Sequence, residues 1–592
     1  MHERVAGAEL GQGVGAEGGG GRAAPVVADG AAGGGGLLDV QAGGAGRVDH
    51  DAGDVDARAA DRVEHGPAER VVADRAHPAA GHAEPGEVDR DVGLGAADRP
   101  GPGARGAHRA GFGGHQDRHG LAEAHHAAHA FEPHPRPPGL VIVDWTATEC
   151  YTHRHHIAQR PLRNMQQGSE PVDIDRDAVA AIRSERVDWR FKGMPSDAFG
   201  STVGELAERR ADLVTGGFVG PLVVLDQEAL EHNLDVMAAW CAERGVLLAP
   251  HGKTTMAPQL FAAQLERGAW GITAANTSQV RVYRAFRVRR VLLANELVDP
   301  AGLRWLADEL AADPDFEFAC WVDSVEGVER MTEALGTPAR PVDVLVELGA
   351  PGGRTGARDL AAARAVAEAA AASPALRLVG VAGYEGSLVH DASPGSLATV
   401  DGYLAALREL VHDLRGSYEV DEPIVTAGGS AYFDQVAAVL AGPWELPVRP
   451  VLRSGAYVTH DHGFYQGVSP LNRGAGPAPL KPALLAWAQV VSRPEPGLAL
   501  LVMGKRDASF DEGLPVPLLV RGADGGQRAL DGAEVTSLAD QHTFLRLPED
   551  SPVRVGDWIG LGLSHPCTVF DKWQLIPVVR GTTVVDLVRT YF

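Results

Sequence analysis

From Gly220 onward, short β-branched runs alternate with segments whose apolar residues recur at helical spacing. Pro221–Asp226 reads as a strand and Gln227–Arg244 as the helix after it. Val246–Pro250, Trp270–Ala275, Arg290–Leu297, Phe316–Val322, Val342–Leu348, Leu376–Gly383 and Pro423–Thr426 read as further strands, each followed by a helical segment. Eight βα units over roughly 220 residues is the size and rhythm of a (β/α)8 TIM barrel. Past Val451 the helical period fades. Pro482–Ser492, Leu498–Met503, Pro517–Arg521, Thr543–Leu547 and Trp558–Leu563 then read as strands between Gly, Asp and Pro turns, which predicts a β-rich C-terminal domain.

The stretch before this has no such pattern. From Met1 to about residue 175 the chain is dominated by Gly, Ala, Arg, Asp and His, in fragments that show neither period. Such a segment buries too little apolar surface to offset chain entropy, so a disordered extension is expected. Strings of this kind also arise when GC-rich DNA is read in the wrong frame, which would make Met165 the start; an intact mass near 62.2 kDa would refute that. Histidines such as His125, His126 and His153 to His156 are read as part of the compositional bias rather than as a metal site. The expected domains are 1–175, a barrel over 200–452, and a β-rich domain of 453–592 joined by 176–199.

The 592 residues carry a formal charge of -24, which argues against nucleic acid and against anionic membrane surfaces as partners. The four cysteines are far apart, no apolar run approaches the ~20 residues of a membrane span, and no signal-peptide pattern opens the chain. A cytoplasmic protein acting on a small molecule is expected.

Lys253, in Pro-His-Gly-Lys253-Thr, follows the second predicted strand, at the mouth where barrels build active sites. A lysine among apolar neighbours has a lowered pKa and attacks aldehydes; by position alone it is equally a surface lysine. It is not a phosphate-binding P-loop lysine, because Leu247 stands where that motif needs glycine. Gly428-Gly429-Ser430 follows the strand read as eighth, where barrels hold phosphate on backbone N–H groups. Arg354 and Tyr384 close the sixth and seventh strands. His565-Pro-Cys567 places imidazole and thiol on one side of an extended segment, a pair suited to Zn²⁺ that leaves positions for substrate. His542 is a second histidine near it in sequence, suited to acid–base work or simply exposed.

In this order these motifs, with Ser564-His565-Pro566-Cys567-Thr568 and Arg453-Ser454-Gly455-Ala456-Tyr457, resemble the D-serine dehydratase / D-threonine aldolase family. More widely they resemble the fold-type III pyridoxal-phosphate enzymes related to alanine racemase. The likeness covers roughly residues 176–592; the N-terminal extension has no counterpart. It implies that Lys253 carries pyridoxal 5'-phosphate, that Gly428, Gly429 and Ser430 hold its phosphate, and that Arg354 and Tyr384 line it. His565 and Cys567 would bind zinc, and a homodimer is implied. A cysteine beside the metal-binding histidine is the dehydratase pattern, and an aspartate the aldolase pattern. Zinc-assisted β-elimination from D-serine or a related D-3-hydroxy amino acid is therefore expected. A D-threonine aldolase, a racemase and a non-catalytic cofactor carrier are the alternatives.

Overall fold

The computed structural model describes residues 174–522 and 525–592. The expectations about the N-terminal extension, its histidines and Met165 lie outside them.

The strand β1 (Leu222–Asp226) is followed by eight parallel strands: β2 (Leu247–Leu248), β3 (Ile272–Ala274), β4 (Arg290–Glu296), β5 (Glu317–Val322), β6 (Val342–Leu348), β7 (Leu376–Gly383), β8 (Ile424–Ala427) and β9 (Arg449–Leu452). They run β2-β9-β8-β7-β6-β5-β4-β3 in one sheet. The two edges meet: His251 bridges Thr273 in parallel, and the Trp270 and Thr273 N–H groups donate to Leu248 and Pro250 at 2.7 and 2.9 Å. Strands such as β6, Val-Asp-Val-Leu-Val-Glu-Leu, are buried on nearly every residue because helices cover one face and barrel contents the other. Ala249, Leu292, Ala319, Leu345, Val379 and Val451 fill the interior.

The C-terminal domain is built on β10 (Leu484–Glu495), β11 (Leu498–Leu501), β12 (Val516–Arg521), β13 (Gln527–Ala529), β14 (Glu534–Leu538), β15 (Thr543–Arg546), β16 (Trp558–Gly562), β17 (Leu575–Arg580) and β18 (Thr583–Arg589). Here the pattern reading needs a correction. Pro221–Asp226 was counted as the first barrel strand, but β1 pairs antiparallel with β10 and parallel with β17. The eighth barrel strand is instead β9, which the pattern did not single out. Both are short apolar runs, and partners across the sheet decide which sheet each joins. The residues before β1 belong with the same sheet: Val187, Phe191, Val203 and Leu206 pack on Trp487, Trp558 and Leu587.

The shift by one strand changes which loops carry the chemistry. Lys253 follows barrel strand one, Gly428-Gly429-Ser430 strand seven, and Arg453-Ser454-Gly455 strand eight. The helix Gln227–Arg244 shows how locally the elements are set: the Asp226 carboxylate caps its first turn at Ala229 N–H (2.7 Å), and Gly245 ends it at φ +66°. Among the described residues, no helix is long and apolar enough to cross a membrane.

Candidate active site

A cavity of about 630 Å³ opens at the C-terminal ends of the barrel strands, and residues of the β-rich domain form part of its wall. Its lining includes Lys253, Arg354, Tyr384, Ser430, His565 and Cys567, residues spread over 315 positions of sequence. Among the described residues no aspartate or glutamate lines it, while Lys253, Arg354 and Arg453 do. In a chain of net charge -24 that contrast marks a site for anions. A second cavity, of about 430 Å³, opens among the opposite strand ends. Its arginines are already paired: Arg290 with Glu317 (2.6 Å), Arg377 with Asp343 (2.7 Å) and Arg449 with Glu422 (2.5 Å).

Lys253 sits in a single 3₁₀ turn, Gly252–Thr254. Gly252 is required there, since a Cβ would stand 2.5 Å from the Tyr283 hydroxyl. Burial lowers the Lys253 pKa; the Cys567 sulfur opposes this, and Arg354 and Arg453 reinforce it. The next residue, Thr254, places its hydroxyl 3.3 Å from the Cys567 sulfur, which ties the lysine loop to the β-rich domain.

Arg453 is 3% exposed. Its two terminal nitrogens donate to Thr426 Oγ1 and to the Gly383 carbonyl, both at 2.7 Å, and its Nε has no partner. The buried carboxylates of Glu385 and Glu347 act on it from below. The Arg354 guanidinium lies over the Tyr384 ring at 4.7 Å.

Glu385 corrects one expectation. Its buried carboxylate accepts the Gly428 N–H at 3.0 Å and the Gly429 N–H at 2.9 Å, so these two glycines do not offer free donors to an anion. The neighbouring loop positions do: among the described residues, no acceptor meets the backbone N–H of Ser430 or Gly455. Gly455 also leaves a cradle, since a Cβ there would lie 2.6 Å from the His251 carbonyl. Free N–H groups after barrel strands seven and eight, an unpaired arginine nitrogen and a buried amine with lowered basicity fit a phosphorylated aldehyde cofactor. Gly428 and Gly429 line the same cavity but serve to hold the loop.

On the opposite wall, His565 Nδ1 pairs with Asp511 Oδ2 at 2.5 Å, and Asp511 Oδ1 accepts from Thr568 at 2.8 Å. Burial opposes protonation of His565, but the Cys567 sulfur and the Asp511 carboxylate outweigh it and push the imidazole up to about 9. Burial likewise opposes ionisation of Cys567. The His565 ring, the Thr254 hydroxyl and the Lys253 amine overcome it and draw the thiol below its usual value. Imidazole, thiolate and a carboxylate behind the imidazole are the donor set of a zinc site with room for exogenous ligands. Among the described residues, no group of three or more His, Cys, Asp or Glu side chains is arranged to hold a metal, so protein would supply two ligands.

His542 is not brought to this place. It is exposed in the turn between β14 and β15, where its carbonyl accepts the Ala539 N–H, and it does not line the cavity. Its nearness to His565 in sequence does not survive the intervening strands. Asp511 and Tyr465 carried no motif, and Glu385 was visible only as part of Tyr384-Glu385-Gly386, with no role of its own. Arg453 was visible only as part of a resembling segment.

A buried carboxyl pair lies next to this site. Burial and the facing Glu347, with Asp323 beyond it, push Glu296 up to about 8. Its folded-state value is thus raised. As pH rises from the ordinary carboxyl range toward 8, the unfolded chain gives up this proton while the folded chain keeps it, and stability falls across that window. Glu296→Gln is expected to match the parent's melting temperature in acid and to exceed it by a few degrees at mildly alkaline pH. A gap that does not widen with pH, followed by thermal denaturation, would contradict the carboxyl pair.

Residues 225–441 match the family described as "Alanine racemase, N-terminal domain", and residues 483–579 the one described as "Putative serine dehydratase domain". In both regions the chain resembles the fold-type III pyridoxal-phosphate enzymes. Within that family, D-threonine aldolase from Arthrobacter sp is 28% identical over 370 residues, 62% of this chain and 90% of the relative. A 3-hydroxy-D-aspartate aldolase from Paracoccus denitrificans is 25% identical over 359 residues, 59% and 87% respectively. The crystal structure of D-threonine aldolase from Filomicrobium marinum superposes with a TM-score of 0.54 at 26% identity, covering 63% of this chain and 95% of that one. D-threo-3-hydroxyaspartate dehydratase from Delftia sp. HT23, at 20% identity and a TM-score of 0.53, shares the fold.

Proposed function

We propose that this protein is a lyase that eliminates the β-hydroxyl of a D-3-hydroxy amino acid, with D-serine as the simplest substrate, giving a 2-oxo acid and ammonia. The observation that carries the reading is the wall beside Lys253, where Cys567 stands between His565 and the hydroxyl of Thr254. A racemase or a cofactor carrier has no use for that wall.

Pyridoxal phosphate, when bound at Lys253, supplies an electron sink for the charge left at Cα. The chain's own groups do the rest. The Ser430 and Gly455 N–H groups, which no protein acceptor meets among the described residues, would hold its phosphate. Arg354 and Arg453 provide fixed positive charge that needs no reorganisation when negative charge develops. The Lys253 amine, made less basic by burial, removes the α-proton. His565 and Cys567 would hold Zn²⁺, favoured by the thiolate, which would supply Lewis acidity for a poor leaving group. Asp511 fixes the His565 tautomer by occupying Nδ1.

The curated relatives named above are aldolases, and they favour a second reading in which the Cα–Cβ bond breaks and glycine and an aldehyde leave. Product analysis separates the two. Incubated with D-serine, the protein is expected to release pyruvate and ammonia in equal amounts, and with D-threonine 2-oxobutyrate. Glycine and acetaldehyde from D-threonine, without 2-oxo acid from either substrate, would replace elimination by the aldol reading.

Asp511→Asn tests the metal wall from behind. It is expected to weaken zinc binding by ~10- to 100-fold, the usual effect of losing a carboxylate that orients a ligating histidine. Competition with a chelator reads this directly, with the absorbance of the lysine-bound cofactor unchanged. Undiminished zinc affinity would remove Asp511 from the site.

A further inference from the structure

We propose that Tyr465 donates the proton that turns the departing β-hydroxyl into water. The proposal rests on the elimination reading above and adds to it a group that no motif marked.

Tyr465 lies in the short helix Phe464–Val468, where the chain crosses from the barrel to the β-rich domain. One carboxylate anchors that helix to the wall carrying His565. Asp461, fully buried, accepts the Gly463 and Gln466 N–H groups on Oδ1, both at 3.1 Å, and the His565 N–H on Oδ2 at 3.0 Å. His565 has φ +52°, a conformation that residues other than glycine rarely adopt, and the Asp461 contact holds it there. Ser564 adds a second tie, its hydroxyl accepting the Phe464 N–H at 3.0 Å. The phenol and the His565–Cys567 pair are therefore mounted on one rigid support. Phe464 braces the Tyr465 ring edge-on, with centroids 5.2 Å apart.

The hydroxyl itself is what calls for an explanation. Tyr283, Tyr403 and Tyr432, buried elsewhere in the barrel, each donate to a backbone carbonyl. Tyr465 is half-buried and lines the cavity together with Lys253, His565 and Cys567, and among the described residues no side chain or carbonyl is hydrogen-bonded to its hydroxyl. The cavity it lines is the space proposed for substrate, shared with the pair proposed to meet the β-oxygen. The hydroxyl of Tyr384, the other tyrosine of the cavity, is likewise without a protein partner among the described residues, but its ring lies under the Arg354 guanidinium at 4.7 Å.

The step balances without an added reagent. The Cα–H bond breaks and its proton goes to the Lys253 amine. The electron pair it leaves forms the Cα=Cβ bond as the Cβ–O bond breaks, its electrons leaving on oxygen. That oxygen takes the phenol proton and departs as water. The proton held by Lys253 then returns to the phenolate, and both residues end as they began.

Tyr465→Phe tests this with a change of one oxygen. Elimination from D-serine is expected to fall ~10²-fold in kcat, the usual contribution of a general acid. Elimination from β-chloro-D-alanine, whose chloride leaves without a proton, is expected to keep the parent rate. The affinity for D-alanine, which has no β-oxygen, is read from the spectral change of the cofactor and should also match the parent. Equal losses on D-serine and β-chloro-D-alanine, or no loss on D-serine, would overturn the role of Tyr465 while leaving the elimination reading intact. A parent enzyme that releases no pyruvate from D-serine would overturn both.

Discussion

Lys253→Ala is expected to abolish the visible absorbance of the bound cofactor and to lower turnover by at least ~10³-fold, since one substitution removes both the attachment point and the general base. Among the described residues Lys253 is the only lysine lining the cavity, and burial beside Arg354 and Arg453 gives it the lowered basicity that an attacking amine needs. The fold should survive, because the side chain makes no hydrogen bond that holds its turn together; the turn is closed by the Thr255 and Met256 N–H groups on the Gly252 carbonyl. Borohydride reduction of the parent followed by peptide mapping should place the cofactor on the peptide carrying Pro250 to Thr254. A label on any other lysine would sink the assignment.

Cys567→Ala has the second largest expected effect, and it should separate two functions that Lys253→Ala removes together. Without the thiol, His565 is left as a single metal ligand from protein, and elimination is expected to fall by ~10²-fold or more, in line with loss of a Lewis acid at a poor leaving group. Cofactor binding should persist, because Lys253, Arg453, Ser430 and Gly455 come from barrel loops, whereas the metal pair comes from the β-rich domain. The measurement is zinc content per chain together with the absorption spectrum and turnover. Full activity in the variant after chelation would show that no metal works through this pair, whatever the fate of the hydroxyl.

The two substitutions rest on very different amounts of sequence evidence. Lys253 and the His565–Cys567 pair were legible because each sits in a compact run of unusual neighbours, Pro-His-Gly-Lys and Ser-His-Pro-Cys. Arg354 and Tyr384 were legible as the charged and aromatic residues that close barrel strands. The phosphate loop was legible only to within a residue. Glycines at 428 and 429 are what an anion cradle looks like in sequence, and nothing local reveals that the Glu385 carboxylate, 43 positions away, occupies the Gly428 N–H. His542 failed for the converse reason. It is close to His565 along the chain, but the turn that carries it faces solvent.

By itself, the order of residues determined the βα rhythm of the barrel, the change to an antiparallel domain after it, and which side chains have the chemistry to carry a cofactor and a metal. Those properties depend on side-chain period and on residue type, which are local. Tertiary structure decided that Leu222–Asp226 leaves the barrel and Arg449–Leu452 closes it. It also decided that Asp511 backs His565 and that Asp461 fastens Tyr465 to the same wall. Each of these is a pairing between segments tens to hundreds of residues apart. Such pairings are chosen by which backbone hydrogen bonds and buried charges are satisfied when the sheets close, and no run of neighbouring residues records that outcome.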